Sequence, residues 1–177
     1  MAMTEEMLAI ALKIKPHAVC LVPEKREEVT TEGGLDVVRL EKNLIPYVKK
    51  LQDNGSRVSL FIDPVTEQVE ATKRTGARVV ELHTGTYAGM SCEARGKSET
   101  IALASCLLPI ASAAKLASQL GLEVHAGHGL NYDNVGPIAA IPEIVELNIG
   151  HFLMGEALFV GLDNAIKKMR LLIDRKS

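Results

Sequence analysis

RVSLFIDPVTEQVEATKRTGARVVELHTG, residues 57–85, holds a strand–helix–strand unit in one stretch. Two short runs rich in Val, Ile and Leu, Arg57–Asp63 and Arg78–Gly85, flank an amphipathic segment, Thr66–Thr75, which ends at Gly76. A unit of this kind lays its two strands parallel, with the helix crossing between them. Alternation then separates two parallel architectures. Val58, Leu60 and Ile62 fall on one side of the first strand, and Ser59, Phe61 and Asp63 on the other. Glu81 and His83 share a side of the second. A strand in an open doubly wound sheet is covered by helices on both faces and reads apolar throughout. One apolar side and one polar side fit a barrel better, with helices against the first and the upper interior lined by the second. The plainer alternative is that the polar positions are strand ends meeting solvent.

The same rhythm runs along the chain. Further strand candidates are His17–Glu24, Glu123–Gly129 and Ile144–His151. In the last, Glu146 and Asn148 share one face while Leu147 and Ile149 share the other. Thr4–Lys15 reads as a helix, with Thr4 as its N-cap and Glu5 and Glu6 in the first turn. Leu35–Asn54 ends at an Asn-Gly stop, and Pro46 inside it predicts a kink or two shorter helices. Ser98–Leu120, with Pro109 inside, and Leu162–Lys176 complete the helical set. There are about five strand–helix units, whereas a (β/α)8 barrel has eight and typically ~250 residues. The chain opens on a helix. The expectation is therefore an incomplete (β/α)8 barrel, its first three strands absent, with residues 1–177 as a single domain.

Composition narrows the function classes. Hydrophobic residues make up 47% and charged residues 24%, which is a globular balance. A net charge of -2 gives no electrostatic case for nucleic acid or an anionic membrane. The 3% aromatic content, without Trp, offers no base-stacking platform. No run reaches the ~18 consecutive apolar residues of a membrane span, and the early acids replace the basic start of a signal peptide. Cys20, Cys92 and Cys106 are scattered and odd in number, which fits reduced thiols in a cytoplasm.

Four motifs could carry chemistry. Val22–Val38 is a long polar loop after a strand, with Thr30 and Thr31 as hydroxyl donors and Gly33-Gly34 before the next helix. Such a loop is a binding loop or a solvated charged one. Glu81 and His83 could both enter a mouth, Glu81 as base or acceptor; His83 could equally be a structural histidine bonded to backbone. The last two strands end in glycine-rich turns, GHG (127–129) and NIGH (148–151), where backbone N–H groups and a following helix N-terminus suit an anion. Barrels often bind phosphate after their last two strands, and Met154–Leu158 could open the short extra helix that completes such a site. A metal set of His125, His128, His151 and Glu81 is conceivable, but H-x-x-H puts its histidines on opposite sides of a strand. No metal is expected.

Together, CLVPEKREEVTTEGGLDV, VSLFID, ELHTGTYA, HAGHGLNYDNV and IPEIVELNIGH resemble the pyridoxine 5′-phosphate synthase family of the deoxyxylulose-dependent vitamin B6 pathway. The resemblance runs from Met1 to the final helix. It implies a (β/α)8 barrel, a homo-oligomer (an octamer in the family) in the cytoplasm, small phosphorylated substrates and no cofactor. It implies His128 as a catalytic general acid, Gly129, Gly150 and His151 as contacts to the aminoketone phosphate, and Thr30 as a contact to the deoxyxylulose phosphate. It implies Glu81 as a supporting group at the mouth. The family pattern also has an N-x-D-H strand, a strand ending in H-L-R-E-D and a third ending in a catalytic Glu, all before the stretch matching MAMTEEM. These groups have no counterpart here, so the chain is expected to be inactive alone. Two rivals remain: another phosphate-binding barrel isomerase or aldolase, for which no strand-end lysine stands ready, and a non-catalytic phosphate-binding module.

Overall fold

The computed structural model describes residues 1–23, 33–93 and 99–174, with side chains described outside 91–104. The chain begins with helix α1 (Glu5–Ile14), capped as its sequence suggests: Thr4 Oγ1 accepts the Met7 N–H at 3.1 Å. Strand β1 (Ala18–Leu21) follows, then helix α2 (Val37–Asp53), β2 (Arg57–Ile62), α3 (Thr66–Arg74) and β3 (Val79–His83). Next come α4 (Gly85–Glu93), α5 (Glu99–Gln119), β4 (Glu123–Gly127), α6 (Val135–Ala139), β5 (Ile144–Asn148), α7 (His151–Val160) and α8 (Leu162–Asp174).

The five strands form one parallel sheet in the order β1-β2-β3-β4-β5. Sequential order with a helix after each strand is what repeated strand–helix crossovers of one hand produce. It is the winding of a barrel wall, in contrast to the reversed order of a doubly wound sheet. Beside β1, Ala2 makes a parallel bridge to Val22, and the Val22 N–H donates to the Met1 carbonyl at 3.1 Å.

The alternation read from the strands is realised in the core. Leu21, Val58, Leu60, Ile62, Val80, Leu82, Val124 and Ala126 are fully buried on the face that packs against helices, where they meet Leu44, Val48 and Leu51 of α2, Val69 of α3 and Ala114 and Ala117 of α5. Burying each such side chain contributes about 1.5–3 kcal/mol. The opposite face carries Cys20, Arg57, Ser59, Glu81, His125, Glu146 and Asn148 around a hollow of about 280 Å³.

Several sequence expectations need correction. Pro46 does not divide α2 into two shorter helices, and one 17-residue helix runs through. The proline is exposed, while Leu44, Tyr47, Val48 and Leu51 around it anchor the helix in the core, offsetting the missing hydrogen bond. The last strand stops at Asn148 instead of reaching His151, because Gly150 caps a helix that starts at His151. Met154–Leu158 is therefore the interior of α7 and not its opening. The third strand candidate likewise ends at His83, with α4 starting at Gly85. Helices α4 and α6 were not foreseen.

Candidate active site

At the C-terminal ends of the strands, four short segments converge. The first is Gly33–Leu35, which crosses the end of β2. The Leu35 N–H donates to the Phe61 carbonyl at 2.7 Å, and the Gly34 N–H donates to Asp63 Oδ1 at 3.0 Å. This approach is open only to glycine: a Cβ on Gly34 would lie 2.2 Å from the Asp63 backbone nitrogen.

The second and third segments are the ends of β2 and β3. Pairing of Phe61 with Glu81 and Ile62 with Leu82 brings Asp63 beside His83, whose Nδ1 lies 3.1 Å from Asp63 Oδ1. The His83 hydrogen bond is the main cause holding the Asp63 carboxyl below its ordinary range, and the Gly34 N–H adds to it. The sequence left His83 between a mouth residue and a backbone-bonded one. The structure gives it a carboxylate partner instead.

The fourth segment is the GHG turn after β4. His128 is exposed and has φ 88, in the left-handed region that non-glycine residues avoid. Its backbone is clamped from β3: the Thr84 N–H donates to the Gly127 carbonyl at 2.9 Å, and Thr84 Oγ1 lies 2.8 Å from that oxygen and 2.6 Å from the His128 carbonyl. Both flanking glycines are needed for space. A Cβ on Gly127 would sit 2.7 Å from Glu81 Oε1, and one on Gly129, whose φ is 77, would sit 2.7 Å from Ala88 Cβ. Beyond the turn, Asn131 Oδ1 accepts the N–H groups of Asp133 and Asn134, and Asn134 Nδ2 donates back to the Gly129 carbonyl. The LNYDN sequence is thus a lock on the turn, a role the sequence reading did not assign.

Phe61, His83 and His128 form a ring cluster. The His83 and His128 centroids are 4.9 Å apart at 62°, and Phe61 lies 5.0 Å from His83 and 6.2 Å from His128. Gly150 and His151 stand exposed at the end of the neighbouring β5, as N-cap and first residue of α7. The two glycine turns therefore stand at the ends of adjacent strands. Thr30, with Thr31, lies outside the described residues.

Glu81 is one layer below this mouth, half-buried on the open face of the sheet. Burial pushes its carboxyl up, while a hydrogen bond from Cys20, the charge of His125 and a hydrogen bond from Asn148 pull the other way. The Cys20 thiol, pushed up to about 12 by burial and then by Glu81, stays protonated and donates to Glu81 Oε2 at 3.4 Å. At the same level on β4, opposite Glu81, His125 is gripped from both sides. Its Nε2 lies 2.8 Å from Glu123 Oε1 and its Nδ1 3.3 Å from Glu146 Oε1, and Arg57 reaches both carboxylates, at 2.6 and 3.5 Å. Glu123, His125 and Glu146 are close enough to share an ion. Their donor atoms are already committed to one another and to Arg57, which makes the cluster an ion-pair network. His125, His128, His151 and Glu81 do not gather as a metal set among the described residues.

Residues 1–175 match the family model described as Pyridoxal phosphate biosynthesis protein PdxJ. The chain belongs to the PdxJ family. Relatives named pyridoxine 5′-phosphate synthase are similar across 98% of this chain. The protein of Caulobacter vibrioides is 55% identical, that of Zymomonas mobilis subsp. mobilis 59% and that of Rhodospirillum rubrum 57%. The chain covers 67%, 65% and 67% of those proteins respectively, about two thirds of each. The PdxJ family is thus one of biosynthetic enzymes, as the sequence resemblance implied. None of the five strands here carries a lysine, which leaves the aldolase rival without its nucleophile on the described sheet. No helix among the described residues is long and apolar enough to cross a membrane.

Proposed function

We propose that this chain carries the phosphate-binding and acid half of a pyridoxine 5′-phosphate synthase site. The reaction joins 3-amino-2-oxopropyl phosphate to 1-deoxy-D-xylulose 5-phosphate and releases pyridoxine 5′-phosphate, phosphate and water. The observation that carries this reading is the placement of His128: exposed, clamped by Thr84, and flanked by glycine turns on two adjacent strands of a family-matched sheet.

Each feature has a use in that chemistry. Schiff-base formation, dehydration and ring closure all move protons, and an imidazole with an ordinary pKa near ~6.5 can give and take them at neutral pH. His128 is the acid. Gly129, Gly150 and His151 offer backbone N–H groups to the aminoketone phosphate, helped by the N-terminus of the ten-residue α7. Thr30 is the contact to the second phosphate. Glu81, kept from ready ionisation by burial, supports the site from below by hydrogen bonding or proton transfer.

The five strand–helix units are, in this reading, five of the eight of a (β/α)8 barrel. The bridge of Ala2 to Val22 supports it, since a parallel strand running into Ala2 would extend the sheet beside β1. A single domain, association of copies and a cytoplasmic setting belong to the same proposal. The remaining catalytic groups would stand on the strands that close the wall, and turnover is expected only where those strands are supplied. The test supplies both substrates to the purified chain and quantifies pyridoxine 5′-phosphate by mass spectrometry, with and without the N-terminal third of a relative. Product only in the combined sample is expected. Robust turnover by the chain alone overturns the inactivity, and no product in either sample overturns the reaction.

A further inference from the structure

Asp63 and His83 have no task in the chemistry above, yet the surrounding backbone is shaped to hold them. Gly34 comes close enough to give Asp63 its N–H, and a side chain there would collide with the β2 backbone. A Cβ on Gly85, the first residue of α4, would lie 2.5 Å from His83 Nε2 and force the imidazole off its partner. The His83 side chain is 4% exposed, while the carboxylate it meets is 49% exposed and stands at the mouth.

The proton on this pair can be placed. An ionised carboxylate only accepts hydrogen bonds, so His83 donates from Nδ1 to Asp63 Oδ1, at 3.1 Å. Neutral His83 then carries its lone pair on Nε2. That nitrogen is buried and has no hydrogen-bond partner, which is unusual for a polar atom in a core and calls for an explanation. The ring that bears it stands edge-on to His128, at 4.9 Å between centroids, with Phe61 backing both. A phenylalanine would fill the space at position 83 without burying a lone pair. The nitrogens of His83 are therefore there for more than packing.

We propose that Asp63 and His83 are a positioning pair for His128. The carboxylate locks the His83 imidazole in its Nδ1–H tautomer, and the locked ring fixes the plane of the His128 imidazole across the mouth. The buried Nε2 lone pair is then an acceptor for an N–H of the His128 ring when that side chain turns toward it. A carboxylate that holds one imidazole in a chosen tautomer is a general device for aiming an acid or base. This inference rests on His128 being the acid.

The test is histidine NMR on the 177-residue chain, labelled with ¹⁵N at its histidines, and it needs no turnover. Two-bond ¹H–¹⁵N correlations read the tautomer, and ring-to-ring cross-peaks read the placement of His128. The chain itself is expected to show His83 as the Nδ1–H form, with cross-peaks between His83 and His128. Asp63→Ala should move His83 to the Nε2–H form and abolish those cross-peaks, and Asp63→Asn, which keeps an acceptor oxygen, should restore both. His83→Phe keeps the ring packing and should still free the His128 ring from its single orientation. The proposal is overturned by an Nε2–H tautomer in the unsubstituted chain, by Asp63→Ala leaving the tautomer unchanged, or by His83→Phe leaving the His128 ring as ordered as before. Amide shifts of Gly129 and Gly150 on adding inorganic phosphate serve as the separate control. Their absence counts against the proposed function and leaves the tautomer result to decide the pair.

Discussion

Two histidines on β4 and its turn, three residues apart, live under opposite conditions. His125 is 3% exposed, just after a register shift in the pairing of β4 with β5, with each ring nitrogen facing a carboxylate and Arg57 neutralising both. His128 is exposed, in left-handed backbone, held through its carbonyl by Thr84 while its ring leans on His83. The lower cluster uses its polar atoms to hold the strands together. The mouth spends backbone strain and close glycine packing to present one ring. The stabilising histidine is buried with both ring nitrogens against carboxylates, and the one at the mouth is exposed and fixed through its backbone.

This contrast can be broken at several points. The largest effect belongs to the backbone approach that builds the mouth. Gly34→Ala puts a methyl group into the Asp63 and Ile62 backbone, and should cost about 3 kcal/mol in chemical denaturation; a loss close to zero would mean that the 33–35 segment does not lie as described. Next is the lower cluster. His125→Leu keeps the bulk but leaves Glu123 and Glu146 to Arg57 alone, and should cost about 2 kcal/mol, partly screened because both carboxylates are about two-fifths exposed. His128→Gly should do the reverse. It relieves the positive φ and is expected to leave stability unchanged or raise it by about 1 kcal/mol, while removing the acid from any assembly that turns over. Equal destabilisation by the two histidine substitutions would erase the distinction between them.

The smallest effects are those of pH. The Asp63 carboxyl is depressed, chiefly by His83, so its contribution to stability is present above the ordinary 3.8 and is lost as pH falls through the depressed value. Glu81 is raised, chiefly by burial, so its contribution is present below the ordinary 4.5 and is lost as pH rises through the raised value. Denaturation curves from pH 3 to 7 should therefore show Asp63→Asn losing stability relative to the parent toward neutral pH. Glu81→Gln should gain over the same range. A Glu81→Gln variant that is less stable at pH 7 would show that its partners outweigh its burial.

Much of the fold is legible in residues 57–85, because a period of two in β2 and β3 and a glycine-ended amphipathic helix leave few alternatives. The alternation of Val58, Leu60 and Ile62 with Ser59 and Phe61 is realised face by face. Two kinds of feature escaped. Helices α4 and α6 carry no amphipathic stripe long enough to read, and α4 starts directly after the strand. The Asp63–His83 pair and the His125 network depend on register between strands far apart in sequence. Phe61 opposite Glu81 is what sets Asp63 beside His83, and nothing local encodes it. The GHG turn was recognisable as a site, but two of its glycine functions, making room for Glu81 and for Ala88, required the neighbouring elements.

The most direct test of the central claim, that the two glycine turns and His128 form one phosphate-binding mouth, is a ¹H–¹⁵N titration of the chain with 3-amino-2-oxopropyl phosphate. The account predicts that the amides of Gly129, Gly150 and His151 shift together along one saturation curve, while the ring of His125 stays unmoved. Independent curves for the two turns, or shifts centred on His125 instead, would contradict it.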